Sequence, residues 1–271
     1  MSAASIEGSG EDLIHHPTSP NIHSVYMKSE DAVKNEAVPL MNRKPEMSGN
    51  SLADVNTLRM REVISSSLEI DHICKITAKK TLLEYLHDLK PVLYLSTDSD
   101  SVREAIKAGY GAAIMFQTDY TELSDDKLRV AFDGDGVLFS DESERVYKER
   151  GLEAFLQNEE DLEDKVLRVG PLGEFAKALL FIQKRFSKIC PVRTYLVTSR
   201  NAGSPGIRGF KTLQEHGLGI DEAFFLGGAH KGPILKAIKP HIYFDDQRSH
   251  VDGALEHGVV GAYVPFGVCS S

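Results

Sequence analysis

From about residue 52 the chain alternates short apolar runs with longer stretches that carry apolar residues at helical spacing. Short apolar runs of this kind are typical of strands buried on both faces of a sheet. The predicted strands are Val92–Leu95, Val130–Phe132, Tyr195–Val197, Ala223–Leu226 and Ile242–Phe244. The predicted helices are Thr81–Leu89, Ser101–Ala108, Leu172–Phe186, Gly209–His216 and Val251–His257, with a further helical face at Leu58, Val63, Ile64 and Leu68. The pattern predicts an α/β fold whose parallel sheet is covered by helices.

The N-terminal segment, residues 1 to about 50, differs in composition from the rest of the chain. It is rich in Ser, Glu, Asn, His and Pro, and its few apolar residues have no sustained period. Such a segment cannot bury enough apolar surface to fold, so Met1–Asn35 is predicted to be disordered. The run Ala37–Met41 would suit only an edge strand, because its proline lacks an N–H donor.

One stretch of the chain occurs twice. Leu93 to Ala113 matches Ile242 to Ala262 in its strand, turn and helix positions, at an offset of 149 residues. The match predicts an internal duplication, although generic α/β packing would give similar spacing. At the strand end the second copy has Asp245-Asp246, where the first has Ser96-Thr97. We therefore predict a degenerate α/β half at 51–127, before an intact α/β domain at 128–271.

Two carboxylates, Asp133 and Asp135, follow the predicted strand that ends at Phe132. Ligands of parallel α/β sheets bind just beyond the carboxyl ends of strands. Two neighbouring carboxylates repel one another, so the arrangement is costly unless a cation lies beside them. Gly134 and Gly136 permit a tight turn and a close backbone approach to a ligand.

Three further polar groups follow later strands or precede a helix. Asp245 and Asp246 follow Ile242–Phe244, and these oxygen ligands suit Mg²⁺ better than Zn²⁺, because no His or Cys cluster lies nearby in sequence. Thr198 and Ser199 end another strand, and Lys231 precedes a short helix with a charge suited to phosphate oxygens. Each feature is weak alone, but their order along the chain is a strong signal.

This ordered set resembles the haloacid dehalogenase superfamily: Asp133–Val137 as the first motif, Thr198 as the second, Lys231 (or, as second choice, Lys211) as the third, and Asp245-Asp246 as the fourth. The resemblance implies a Rossmann-like parallel sheet with a small helical cap inserted at about 141–170. It implies Asp133 as nucleophile and Asp135 as general acid and base. It also implies Mg²⁺ held by Asp133, the Asp135 carbonyl, Asp245 and Asp246, with phosphate bound by Thr198, Ser199 and Lys231. For Asp246, helix capping or support of another ligand is an equal alternative.

The chain is more closely similar to the cytosolic type I 5'-nucleotidase family, through the stretches Arg129–Arg145, Cys190–Arg200, Leu226–Pro233 and His241–Gln247. The likeness is tight over about 128–267 and looser over about 52–116. The family usually has Ala in place of Gly136 and has more sequence before residue 52. The resemblance implies hydrolysis of nucleoside 5'-monophosphates, with AMP the leading candidate. Phe139 and Ser140 are expected in the substrate pocket, with core packing an equal alternative for Phe139.

Composition and charge narrow the class of partner. A net charge of −9 argues against sequence-independent nucleic-acid binding, which needs Lys and Arg. No apolar run is long enough for a membrane span, and no signal peptide is evident, so a cytoplasmic protein is expected. The three widely spaced cysteines are expected to be reduced thiols. A homo-oligomer is left open.

Two rival functions stay open at this point. One is a phosphatase of the same superfamily that acts on another small phosphomonoester. The other is a catalytically weak or regulatory paralogue, which the missing N-terminal piece favours and the intact set of polar residues argues against.

Overall fold

The computed structural model describes residues 26–28, 80–116, 127–186 and 190–270, the first of these ranges by its backbone alone. The strands are β1 (Tyr26–Lys28), β2 (Pro91–Ser96), β3 (Ala112–Met115), β4 (Leu128–Phe132), β5 (Val192–Thr198), β6 (Glu222–Phe225), β7 (Ile242–Asp245) and β8 (Gly261–Tyr263). The helices are α1 (Leu82–Leu89), α2 (Ser99–Lys107), α3 (Glu142–Asp161), α4 (Gly173–Arg185), α5 (Ser204–Glu215), α6 (Gly232–Ile238) and α7 (Arg248–Glu256), followed by a 3₁₀ turn at Gly267–Ser270.

All eight strands belong to one sheet, in the order β1-β2-β3-β8-β7-β4-β5-β6. The block from β8 to β6 is parallel throughout, and β2 is parallel to β3. The two parallel blocks meet antiparallel between β3 and β8, and β1 adds an antiparallel edge. The predicted α/β class with a mostly parallel sheet is confirmed.

Helices cover both faces of the sheet. On one face α4 packs against β2 and β5, and its Phe175 and Leu179 lie in a core with Phe132 and Phe244. On the other face, α2, α6 and α7 cover two smaller clusters of buried apolar side chains, one of which contains Tyr94. Burial on both faces explains the apolar runs within the central strands, such as Val130–Phe132.

Helix α3 lies inside the predicted cap insert and bends in its middle. Gly151 has φ 82°, a left-handed conformation that favours glycine, and it divides the helix into two segments. The helix packs against α5, which has a proline in its first turn. The helix of the predicted cap segment therefore contacts the helix that follows β5.

The two copies of the predicted repeat have the same element order: β2-α2-β3 in the first and β7-α7-β8 in the second. They meet where β3 pairs with β8, and Ile114 lies opposite Tyr263, its own counterpart at the offset of 149 residues. Because this pairing is antiparallel, the carboxyl ends of β2 and β7 lie at opposite edges of the sheet. Ser96 is thus separated from Asp245, while the duplication and the domain division stay predictions.

The disorder of the N-terminal segment stays a prediction, and one short part of the segment has a described structure. Tyr26–Lys28 lies within the stretch predicted to be disordered, yet it forms β1 and pairs with β2. A sheet edge supplies backbone hydrogen-bond partners that the sequence of the short segment does not reveal. The predicted elements at Ala37–Met41 and at the face from Leu58 to Leu68 lie outside the described residues. Across the described part of the chain, no helix is long and apolar enough to span a membrane.

Candidate active site

Asp133 and Asp245 lie side by side because they end neighbouring strands. β4 pairs with β7 in parallel, with Phe132 opposite Phe244, and the Asp133 N–H donates to the Phe244 carbonyl over 2.8 Å. Both carboxylates are buried. The expectation that the two strand ends bring these residues together agrees with this geometry, although their chemical roles stay predictions.

A tight turn follows Asp133 and borders the site. The N–H groups of Leu138 and Phe139 both donate to the Gly134 carbonyl, and Asp133 Oδ1 accepts from the Gly134 N–H at 2.7 Å. Gly136 has φ 73°, and a Cβ built on it would come within 2.3 Å of Asp246 Oδ2. A larger residue at Gly136 would therefore require the Asp246 side chain to turn away.

Lys231 links the two strand ends. Its Nζ lies 2.8 Å from Asp133 Oδ1 and 2.8 Å from Asp245 Oδ2, and the side chain is buried. Burial alone would lower the pKa of Lys231, but the two carboxylates outweigh it and raise that pKa above its usual value. Lys211, the second choice, is half-exposed and pairs with Glu163 and Asp164. Of the two lysines, Lys231 is therefore the one that contacts the carboxylates of the strand ends, while its role in phosphate binding stays a prediction.

Of the acidic residues at these strand ends, Asp245 accepts the most hydrogen bonds. Besides Lys231, it accepts from the Gln247 N–H at 2.8 Å, and the Tyr243 hydroxyl and His250 Nδ1 also contact it. Burial would raise the pKa of Asp245, but Lys231 and His250 hold it well below the usual range. This carboxylate is therefore ionised and held in one orientation.

Asp246 is the opposite case. Its Oδ2 is buried and has no hydrogen-bond partner among the described residues. Burial, and then the neighbouring charges of Asp133 and Asp245, raise the pKa of Asp246 far above its usual value. A buried carboxylate without a partner is destabilising unless a cation or proton compensates it.

The acidic residues fit a divalent cation. Within the described ranges, ligand atoms of Asp133, Asp245 and His250 lie within 4.8 Å of one another, and Asp246 adds its orphaned oxygen. Carboxylate oxygens are ligands that hard divalent cations prefer. His250 already contacts Asp245, so it is placed to orient that ligand rather than to need a metal itself.

Asp135, the second carboxylate of the turn, points away from this cluster. Arg200 binds it through a fork, with Nε 2.7 Å from Oδ2 and Nη2 2.7 Å from Oδ1. Arg200 is buried, and although burial alone would lower its pKa, the carboxylates raise that pKa. Because Arg200 binds both oxygens of the Asp135 side chain, the predicted contact with the metal would come from the Asp135 backbone carbonyl.

The remaining predicted residues differ in their placement. Thr198 is buried at the end of β5, and its Oγ1 borders Gly134 in the turn and accepts from the Arg200 N–H. Ser199 is exposed. Ser140 has a buried hydroxyl with no partner among the described residues. Phe139 is fully buried in the main core, which agrees with core packing, while its expected place in the substrate pocket stays a prediction.

Two basic residues near the site, and the acid that joins them, were not assigned from sequence. Glu159 of α3 is fully buried and accepts hydrogen bonds from both Arg200 and Arg208. Arg200 ends the motif that contains Thr198, which was its only sequence signal. Glu159 and Arg208 lie in charged helical stretches that give no local sign of burial.

Sequence comparison with known proteins agrees with the geometry of the site. A sequence profile of the 5'-nucleotidase family matches residues 46–271. The chain is 46% identical over 220 residues to human cytosolic 5'-nucleotidase 1B; this covers 79% of the chain and 36% of that relative. The chain therefore spans only about a third of the length of the curated relative that it matches.

Two solved structures are similar at lower identity. One, from Thermotoga maritima, is described as a β-phosphoglucomutase (17% identity, 48% of this chain, 82% of that chain, TM-score 0.28). The other is a haloacid dehalogenase-like hydrolase from Streptococcus pneumoniae (15% identity, 50% of this chain, 83% of that chain, TM-score 0.28).

The fold and the site define an α/β protein with a mostly parallel sheet and with carboxylates gathered at the ends of adjacent parallel strands. Within that class, the profile match over most of its length shows that the chain belongs to the 5'-nucleotidase family.

Proposed function

We propose that this chain hydrolyses nucleoside 5'-monophosphates, with AMP the leading substrate, to a nucleoside and phosphate. The observation that carries the proposal is the buried set Asp133, Lys231 and Asp245, with 2.8 Å contacts from one lysine to both acids. Family membership supports a phosphomonoester hydrolase, and the name of the human relative supports a nucleotide substrate in the cytosol.

The first half of the proposed reaction transfers the phosphoryl group to the protein. An oxygen of Asp133 attacks phosphorus, the bond from phosphorus to the 5'-oxygen breaks, and an aspartyl-phosphate forms. Asp135 in its protonated form gives its proton to the leaving 5'-oxygen. Lys231, fixed beside Asp133, stabilises the negative charge on the phosphoryl oxygens, and Thr198 at the end of β5 offers a hydroxyl to the same group.

The second half restores the protein. Asp135, now a carboxylate, takes a proton from water as the water oxygen attacks phosphorus, and the bond to Asp133 breaks. Phosphate leaves, Asp133 is free again, and Asp135 has recovered its proton. Asp133, the Asp135 carbonyl, Asp245 and Asp246 would hold Mg²⁺, which would supply charge neutralisation for the nucleophile and the phosphate.

The proposal is tested by phosphate release from a panel of 5'-, 3'- and 2'-nucleotides and sugar phosphates. We expect AMP to give the highest kcat/KM, and 3'-AMP to serve as the matched control that differs only in phosphate position. A sugar phosphate hydrolysed faster than every nucleotide would instead support the rival phosphatase. Absence of phosphate release from the whole panel would refute the proposed activity.

The degenerate copy should not take part in the chemistry. Ser96 lies at the carboxyl end of β2, at the edge of the sheet opposite Asp245. Among the described residues, its hydroxyl accepts a local hydrogen bond from the Asp98 N–H at 3.1 Å and none from the acidic site. Ser96→Ala should keep kcat for AMP within about twofold, because substitutions away from a site cost little. A loss above tenfold with an unchanged melting temperature would show that this half contributes to the site.

A further inference from the structure

Every nitrogen of the Arg200 guanidinium has a partner. Nε and Nη2 bind the two oxygens of Asp135, and Nη1 binds Glu159 and the Pro205 carbonyl, the latter at 2.8 Å. The fork uses one lone pair on each Asp135 oxygen, so the other lone pairs stay open for a reacting proton. Arg200 therefore fixes the plane of this carboxylate without blocking it.

Glu159 holds Arg200 from the cap side. It belongs to α3, is fully buried, and accepts from the Ser143 hydroxyl at 2.7 Å and from Arg208 Nη1 at 2.7 Å. The charges of the two arginines lower the pKa of Glu159 against the opposing effect of burial. Buried networks with every member satisfied are rigid, and loss of one member leaves an uncompensated charge.

We propose that Arg200 is a positioning residue for Asp135, and that Glu159 orients Arg200, so that the cap helix sets the geometry of proton transfer. This inference rests on the proposed function, in which Asp135 moves the proton. A misplacement of about 1 Å at a reacting group can cost about 100-fold in rate, so a rigid clamp on Asp135 has a large effect.

A purely structural ion network is the competing interpretation, and the leaving group separates the two. The 5'-oxygen of AMP needs a proton as it departs, whereas 4-nitrophenolate leaves 4-nitrophenyl phosphate without one. The kcat/KM of either substrate reports steps up to the first irreversible one. Damage that acts through Asp135 should therefore lower kcat/KM for AMP and spare the aryl phosphate, while general damage should lower both.

The test uses Arg200→Lys, Glu159→Gln and the matched control Arg208→Lys. Arg208 is as buried as Arg200 and binds the same Glu159, but its hydrogen bonds go to Glu159, Glu142, Ser143 and the Lys165 carbonyl and none goes to Asp135. We expect Arg200→Lys to lose about 100-fold in kcat/KM for AMP and less than threefold for the aryl phosphate. Glu159→Gln should lose about tenfold for AMP only, and Arg208→Lys should change both substrates by the same factor.

A second measurement does not depend on the aryl substrate. Arg200→Ala should recover at least fivefold of its AMP hydrolysis when guanidinium ion is added at non-denaturing concentration, while Arg208→Ala should recover none. Equal losses for both substrates in Arg200→Lys, or equal rescue of both alanine variants, would overturn the positioning role. Wild-type protein that releases phosphate from neither substrate would overturn the proposed function, and this inference with it.

Discussion

Asp133→Asn is expected to lower phosphate release from AMP by at least about 1,000-fold, because an amide is too weak a nucleophile to form the aspartyl-phosphate. The fold should survive, since the two side chains are nearly isosteric and the amide oxygen can still accept from Lys231 and the Gly134 N–H. Steady-state rates and thermal unfolding of the purified variant measure both effects. After an acid quench, labelled phosphate should remain on the wild-type protein and be absent from the variant.

The matched control for this variant is Asp221→Asn. Asp221 also accepts backbone and side-chain hydrogen bonds, from the Thr194 N–H at 2.7 Å and from Gln183, but at the opposite edge of the sheet from Asp133. Its rate should stay within about threefold of wild type. An Asp133→Asn protein that keeps more than a tenth of the wild-type rate would contradict the covalent mechanism.

The strand ends of the site could be predicted from sequence because each follows a short apolar run. Phe132, Thr198 and Phe244 are buried on adjacent strands, and burial on both faces leaves a plain signature in the sequence. Parallel strands then bring their carboxyl ends to one edge, so the residues that follow them must be neighbours. This reasoning places Asp133 beside Asp245 without any coordinates.

The clamp on Asp135 could not be predicted in the same way. Glu159 of α3 and Arg200, which lies between β5 and α5, are 41 residues apart and meet where α3 packs against α5. α3 is mainly polar and Arg200 lies between Ser199 and Asn201, so the local sequence does not distinguish either buried charge from a solvated one. Similarly, only the contacts distinguish Lys231, between two carboxylates, from Lys211 at the surface. Long-range pairing of charges has no sequence period that would reveal it.

Removal of divalent cations should abolish activity, and Mg²⁺ should restore it. With chelator present, we expect AMP hydrolysis to fall by more than about 100-fold, because Lys231 alone would face the charges of Asp133, Asp245 and the phosphate, and Asp246 Oδ2 has no partner among the described residues. Mg²⁺ should also raise the melting temperature of the wild-type protein, since it binds the folded state and relieves the repulsion among three buried carboxylates. Full activity in chelator would contradict the proposed metal site.

Asp246→Asn should separate stability from activity at the same site. Without metal, the substitution removes a buried acid whose Oδ2 has no described partner and whose pKa is raised by burial, so it removes the cost of desolvating or protonating that acid. The melting temperature should therefore rise by about 4 °C, in line with a gain of roughly 1–2 kcal/mol. With Mg²⁺, the same variant should gain less stability than wild type and should hydrolyse AMP at least about tenfold more slowly. Asp252→Asn is the control, because Asp252 is an exposed aspartate of α7 paired with Arg248. A less stable metal-free Asp246→Asn protein would show that the ionised carboxylate is already compensated without a cation.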